Sequence, residues 1–127
     1  MSTPTRSPGS VTPPSGALGV RIDGVDIAAD SSEALAEMLQ AILDEHLVIH
    51  LPGQVALTPE QHLAFAALWG EIATHPYVPS IDGHPGIMQI SDPTELTTVW
   101  HQDVTHMERP PSVSSSPAGT GGRSATC

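Results

Sequence analysis

Lysine is absent from this 127-residue sequence, and its four basic residues are all arginines. Fourteen acidic residues leave a formal net charge of −10. Phosphate backbones are bound by releasing counterions from clustered Lys and Arg, and no such cluster occurs here. Nucleic acid and anionic membrane surfaces are therefore not expected partners. A small anionic substrate would need a local arginine against that field, and Arg21 and Arg109 are the candidates inside the expected ordered region. Aromatic residues are scarce too: Phe65, Trp69, Tyr77 and Trp100 are all of them. Any core must be built mainly from Leu, Ile, Val and Ala. The single cysteine, Cys127, excludes an intrachain disulfide and points to a reducing compartment. There is no cationic start followed by an apolar run, and no apolar run of membrane-spanning length. A cytoplasmic protein is expected.

What remains is enough for one domain. Residues 1–16 are mostly Ser, Thr, Pro and Gly, a composition that cannot offset its ordering entropy, and disorder is expected there. The domain proper is expected over 17–113. Leu18 to Ile22 alternates like a short strand, and Asp23-Gly24 suggests a turn. Asp30 with Glu33 suits a capping box, followed by an apolar stripe of Leu35, Met38, Leu39, Ile42 and Leu43 at helical spacing. Leu47 to Leu51 reads as a strand stopped by Pro52-Gly53. Thr58-Pro59-Glu60-Gln61 opens a second helix running through Leu68 towards Gly70. A loop around His75-Pro76, a turn at 82–86, a strand at Ile87 to Ile90, a polar loop and a strand at Val99 to Val104 complete the expectation. Ser114 to Cys127 has no Leu, Ile, Val, Met or aromatic residue, and is expected to be an unstructured tail. The abrupt change suggests a shifted reading frame or a truncation.

Chemistry concentrates in His101-Gln102-Asp103. On a strand these two side chains share a face about 6–7 Å apart, which suits an imidazole and a carboxylate on neighbouring positions of one metal. Non-haem iron(II) oxygenases use two His and one carboxylate on one octahedral face. The spacing alone fits equally a surface histidine beside a solvated acid, and His106-Met107-Glu108 repeats it. A compact metallohydrolase built from His101, Asp103 and His106 is a further reading, opposed by strand parity because position 106 would face away. His46, His50, His62 and His84 read as structural or solvated.

The surroundings add a resemblance. Trp100-His101-Gln102-Asp103-Val104-Thr105 resembles the iron-binding segment of the taurine dioxygenase family of iron(II)- and 2-oxoglutarate-dependent dioxygenases. Gly24-Val25-Asp26-Ile27, then Leu47 to Gln54, then Thr58-Pro59-Glu60-Gln61 with Phe65, Gly70 and Glu71 follow in that family's order. The resemblance covers about residues 17–113, the N-terminal portion of such a protein.

Carried over, the resemblance makes His101 and Asp103 two of three iron ligands, with Fe(2+) as cofactor and 2-oxoglutarate and O2 as co-substrates. It makes His75 a contact for the substrate's anionic group. No other catalytic residue is implied. The second iron histidine, and the arginine that pairs with 2-oxoglutarate, would lie downstream of the matching segment. Gly121-Gly122 lies too close to Asp103 to match the family's glycine pair. Two positions depart from the pattern. The aromatic three residues after His75 is here Val78, beside Tyr77, and His106 stands where an aromatic is common. Both departures point away from taurine itself as the substrate.

The implied fold is mainly β with flanking helices: a double-stranded β-helix, or jelly roll, left incomplete because about four candidate strands are too few to close it. The implied reaction is hydroxylation of a small sulfonate, sulfate or related organic molecule. Full-length relatives would be homo-oligomers. The expected fragment would be inactive alone, and a non-catalytic remnant or interaction fragment is the alternative.

Overall fold

The computed structural model describes residues 11–12, 18–54, 57–90, 99–116 and 123–126. The chain divides into two compact units, Met1–Val55 and Ala56–Cys127. The disorder expected over 1–10 and 13–16, the polar loop at 91–98 and the tail at 117–122 and 127 lie outside the described residues.

In the first unit, β1 (Val11–Thr12), β2 (Val20–Ile22) and β3 (Ile49–His50) form one sheet in that order. β1 runs antiparallel to β2, with Val11 opposite Ile22; β2 and β3 are parallel, with Val20 opposite Ile49. The parallel pair needs a crossover, which α1 (Glu33–His46) supplies. Val20 and Ile22 are buried while Arg21 between them is exposed, the period-two pattern of a half-buried strand. From α1, Leu35, Ala36 and Leu39 are buried, and Ile27 joins them. Full burial of each large aliphatic side chain stabilises by about 1.5–3 kcal/mol.

The helix start corrects the expected cap. Ser32, not Asp30, is the N-cap: its Oγ accepts the Leu35 N–H at 3.2 Å. Asp30 accepts the Ser32 N–H at 2.9 Å and holds the extended backbone that Ser32 needs. The helix ends at Leu47, left-handed at φ 67, whose N–H donates to the Leu43 carbonyl at 2.7 Å. That reversal takes Leu47 and Val48 out of the expected strand, and only Ile49 and His50 join the ladder. Gln54 ties the unit together over a long sequence separation. Its Oε1 accepts the Ile27 N–H at 3.0 Å, and its Nε2 donates to the Val25 carbonyl.

In the second unit, α2 (Pro59–Ala67) opens with the expected capping box. The Thr58 hydroxyl accepts the Gln61 N–H, and Gln61 Oε1 accepts the Thr58 N–H. It stops slightly short of the expected end, with Leu68 as C-cap. His62 and Phe65 are its buried residues, and Phe65 meets Trp69 edge-on at 6.0 Å. β4 (Ile87–Ile90) buries Ile87 and Met88 and pairs antiparallel with β5 (Arg123–Thr126). Gly86 allows this entry: its φ is 94, and a Cβ there would run into the Ile72 side chain.

Two segments expected to lack structure thus contribute strands, Val11–Thr12 and Arg123–Thr126. Composition argues about burial, whereas a strand edge pairs any extended backbone through its N–H and C=O groups. The strand expected at Val99–Val104 is absent: 99–102 is irregular and 103–106 is a turn, with the Met107 N–H donating to the Val104 carbonyl at 3.0 Å. Val104 is buried at φ 45, a conformation that strains a β-branched residue by about 1–3 kcal/mol. Its neighbours Asp103 and Thr105 stay exposed, so burial of this one side chain sets the turn. No helix among the described residues is long and apolar enough to cross a membrane.

Candidate metal and substrate site

The turn brings His101 and Asp103 closer than a strand would. His101 Nε2 lies 3.1 Å from Asp103 Oδ1, and both side chains are substantially exposed. His101 Nδ1 lies 2.9 Å from the Val99 carbonyl oxygen. A carbonyl only accepts, so Nδ1 carries the proton and donates it there. The nitrogen facing the carboxylate is then Nε2, the one a metal would use in a ring held by a backbone carbonyl. Neighbouring donors about 2.1 Å from an octahedral ion sit roughly 3.0 Å apart. The imidazole–carboxylate pair therefore fits one edge of such a site. Among the described residues, no group of three His, Cys, Asp or Glu side chains is arranged to hold a metal.

His75 is half-buried in the loop after α2. Its Nδ1 accepts two backbone N–H groups, from Tyr77 at 3.1 Å and Val78 at 2.9 Å. Nδ1 is thus unprotonated and Nε2 is the nitrogen that carries the proton. The Tyr77 ring contacts His75 at 6.2 Å between centroids and His106 at 5.6 Å. His75 and the turn following Asp103 are thereby linked through one aromatic ring. His106 does not face away by strand parity, because no strand exists there; its ring packs on Tyr77 instead.

Two other histidines of this unit, His62 and His84, have side-chain partners. His62 is buried, with Nε2 at 2.7 Å from the Ser115 hydroxyl, and burial pushes its pKa down. His84 Nε2 lies 2.9 Å from Glu60 Oε1; their hydrogen bond raises the His84 pKa and lowers that of Glu60. Arg21 is engaged by Asp23 at 2.9 Å, which takes one of the two candidate anion-binding arginines out of play.

A sequence model of the family described as "Taurine catabolism dioxygenase TauD, TfdA family" matches residues 10–127. The chain belongs to this family. It is 37% identical over 105 residues to an alpha-ketoglutarate-dependent sulfate ester dioxygenase of Pseudomonas putida, covering 82% of this chain and 35% of that one. It is 30% identical over 100 residues to an alkylsulfatase of Acinetobacter baylyi, covering 78% and 32% respectively. The chain thus spans about a third of the length of the curated relatives it matches. A crystal structure of a putative alpha-ketoglutarate-dependent taurine dioxygenase from Burkholderia xenovorans superposes with a TM-score of 0.69 at 37% identity, over 83% of this chain and 38% of that one. A taurine dioxygenase from the same organism gives 0.67 at 36%, over 80% and 37%.

The sequence names His75, His101 and Asp103 as candidates, and the structure adds two partners to them. Val99 orients His101 through its carbonyl, which no side-chain pattern can reveal. Tyr77 bridges two rings, and its cue in the sequence is its place beside Val78, where the family has an aromatic.

Proposed function

We propose that this chain is the N-terminal portion of an iron(II)- and 2-oxoglutarate-dependent dioxygenase acting on a small sulfate ester or sulfonate. The observation that carries this reading is the His101–Asp103 pair, 3.1 Å apart with the outer imidazole nitrogen held by Val99. His101 would bind Fe(2+) through Nε2 and Asp103 through its carboxylate, with the third protein ligand contributed from outside the described residues. The iron, together with 2-oxoglutarate and O2, supplies the oxidising chemistry that hydroxylates a carbon next to the polar group. The Val99 carbonyl restricts ring rotation, so the ring nitrogen need not be ordered on binding. His75, locked by two backbone N–H groups, presents Nε2–H to the substrate's anionic oxygens. The jelly-roll architecture and a cytoplasmic location belong to this reading. The sulfate-ester preference is supported by the named activity of the Pseudomonas relative.

The test is Fe(2+) titration of the native and Asp103→Ala chains under argon. Asp103→Ala should weaken binding at least tenfold, in line with the loss of a charged ligand, and equal affinity would overturn the assignment. In parallel, succinate release from 2-oxoglutarate should be slight for the 127-residue chain. It should be substantial for the chain joined to the remaining length of the Pseudomonas relative.

A further inference from the structure

Among the described residues, Leu47 and Val104 are the only non-glycine residues with positive φ, at 67 and 45. Leu47 ends a helix, where a left-handed residue helps to satisfy the last carbonyls, and its side chain is exposed. Val104 ends no helix. It is β-branched, which makes this angle a steric outlier, and its side chain is buried. Strain of this kind persists where the surroundings over-determine it, and it gathers at ligand clamps. The residue that bears it here is bonded to Asp103, whose Oδ1 lies 3.1 Å from His101 Nε2.

Granting the proposed function, on which this rests, we propose that Val104 is the positioning residue of the metal pair: it holds Asp103 beside His101 without touching the ion. The Asp103 side chain is 70% exposed, so its own packing does not hold it, and support has to come through the backbone. The buried Val104 side chain pins the neighbouring residue. Its left-handed backbone turns the chain back at once, with the Val104 carbonyl accepting the Met107 N–H at 3.0 Å. Asp103 and Thr105, on either side, thereby stay in solvent. With the side chain kept buried, an extended backbone at 104 would carry Asp103 or Thr105 to a different place. Burial and strain are thus opposed at a single residue. Apparent iron affinity falls in proportion to the fraction of chains that hold this turn.

The experiment is Fe(2+) titration, under argon, of the full 127-residue chain and its Val104→Ala and Val104→Gly variants, with amide exchange at Met107 measured on the metal-free proteins. Val104→Ala keeps a Cβ, and with it the cost of the left-handed angle, but loses most of the buried side chain that offsets that cost. It should bind Fe(2+) at least tenfold more weakly, as loss of a group supporting a metal ligand does. Val104→Gly buries still less, yet glycine adopts the angle freely. It should bind more tightly than Val104→Ala and more weakly than the native chain. Met107 exchange should follow the same order: slowest in the native chain, faster in Val104→Gly, fastest in Val104→Ala. A merely structural role predicts the reverse order for the two variants, because burial falls from Val to Ala to Gly. Should Val104→Ala fail to fold, Val104→Thr takes its place, keeping the shape and the strain while losing apolar burial, with the same order expected. Native affinity in that variant, or a glycine variant no better than it, would overturn the inference. Asp103→Ala separates this from the parent reading. If Asp103→Ala loses iron while the changes at 104 do nothing, the dioxygenase reading stands and the positioning role does not. If Asp103→Ala keeps full iron affinity, the metal assignment fails and the positioning role fails with it.

Discussion

The two units of the chain spend their residues differently. Met1–Val55 buries Val20, Ile22, Ile27, Leu35, Ala36 and Leu39, and its polar side chains mostly cap and staple the backbone. Among the described residues, Ala56–Cys127 buries fewer aliphatic side chains, namely Ile87, Met88 and Val104 with Phe65, and it carries every residue assigned to the site. Its tryptophan and tyrosine nearest the site, Trp100 and Tyr77, are exposed at 103% and 79%. Scaffold and chemistry are thus separated along the sequence. A regular βαβ-type unit stabilises through periodic apolar burial, while irregular loops present polar groups where a ligand can reach them.

The contrast is broken most severely in the first unit. Leu39 is 1% exposed on the buried face of α1, and Leu39→Ala should cost about 2–5 kcal/mol in urea melts. A loss under 1 kcal/mol would mean that this helix does not close a packed core. The proposed Fe(2+) binding at His101 and Asp103, both exposed, should change far less than stability does.

A smaller effect distinguishes the buried histidine of the second unit. Burial holds the His62 pKa below its ordinary value of 6.5, so the unfolded chain takes up the proton first. Its contribution is complete above pH 6.5 and is lost as pH falls through and below that value. Melts between pH 7.5 and about pH 5 should show more acid sensitivity in the native chain than in His62→Gln. Parallel curves would show that His62 is not confined as described.

The smallest effect has the opposite sign. His84 is raised by its hydrogen bond to Glu60, and Glu60 is lowered by the same contact. Stability from the raised histidine is full below 6.5 and fades as pH rises through its folded value. Stability from the lowered carboxylate is full above 4.5 and fades as pH falls through its folded value. The pair therefore contributes most between pH 4.5 and 6.5. Because it is exposed, the contribution should shrink in high salt. His84→Gln should flatten that window, and a salt-insensitive difference would contradict a surface ion pair.

How far these features were legible depends on the range of the interaction that creates them. Thr58, Pro59 and Gln61 meet within one helical turn, and the capping box stood in the structure as read. Ser32 rather than Asp30 caps the helix because Ser32 keeps an extended backbone and accepts the Leu35 N–H, while Asp30 accepts a different donor, the Ser32 N–H. Val99 to Val104 read as a strand because its composition is β-prone. The burial of Val104 alone, with Val99 and Trp100 left in solvent, made it a turn instead.

Sequence by itself determined the family, the negative charge, the helices at 33–46 and 59–67 within a residue or three, and the identity of His75, His101 and Asp103 as candidates. All of these follow from residue type and short-range periodicity. Tertiary structure alone decided that His101 and Asp103 meet at 3.1 Å across a turn, that Val99 orients the ring, and that Tyr77 joins His75 to His106. Those contacts depend on a left-handed Val104 and on loops brought together by the buried residues around them. The Tyr77–His106 contact joins segments distant in sequence, and the local His101 contacts follow from a turn set by a buried Val104; local sequence carries no period for either.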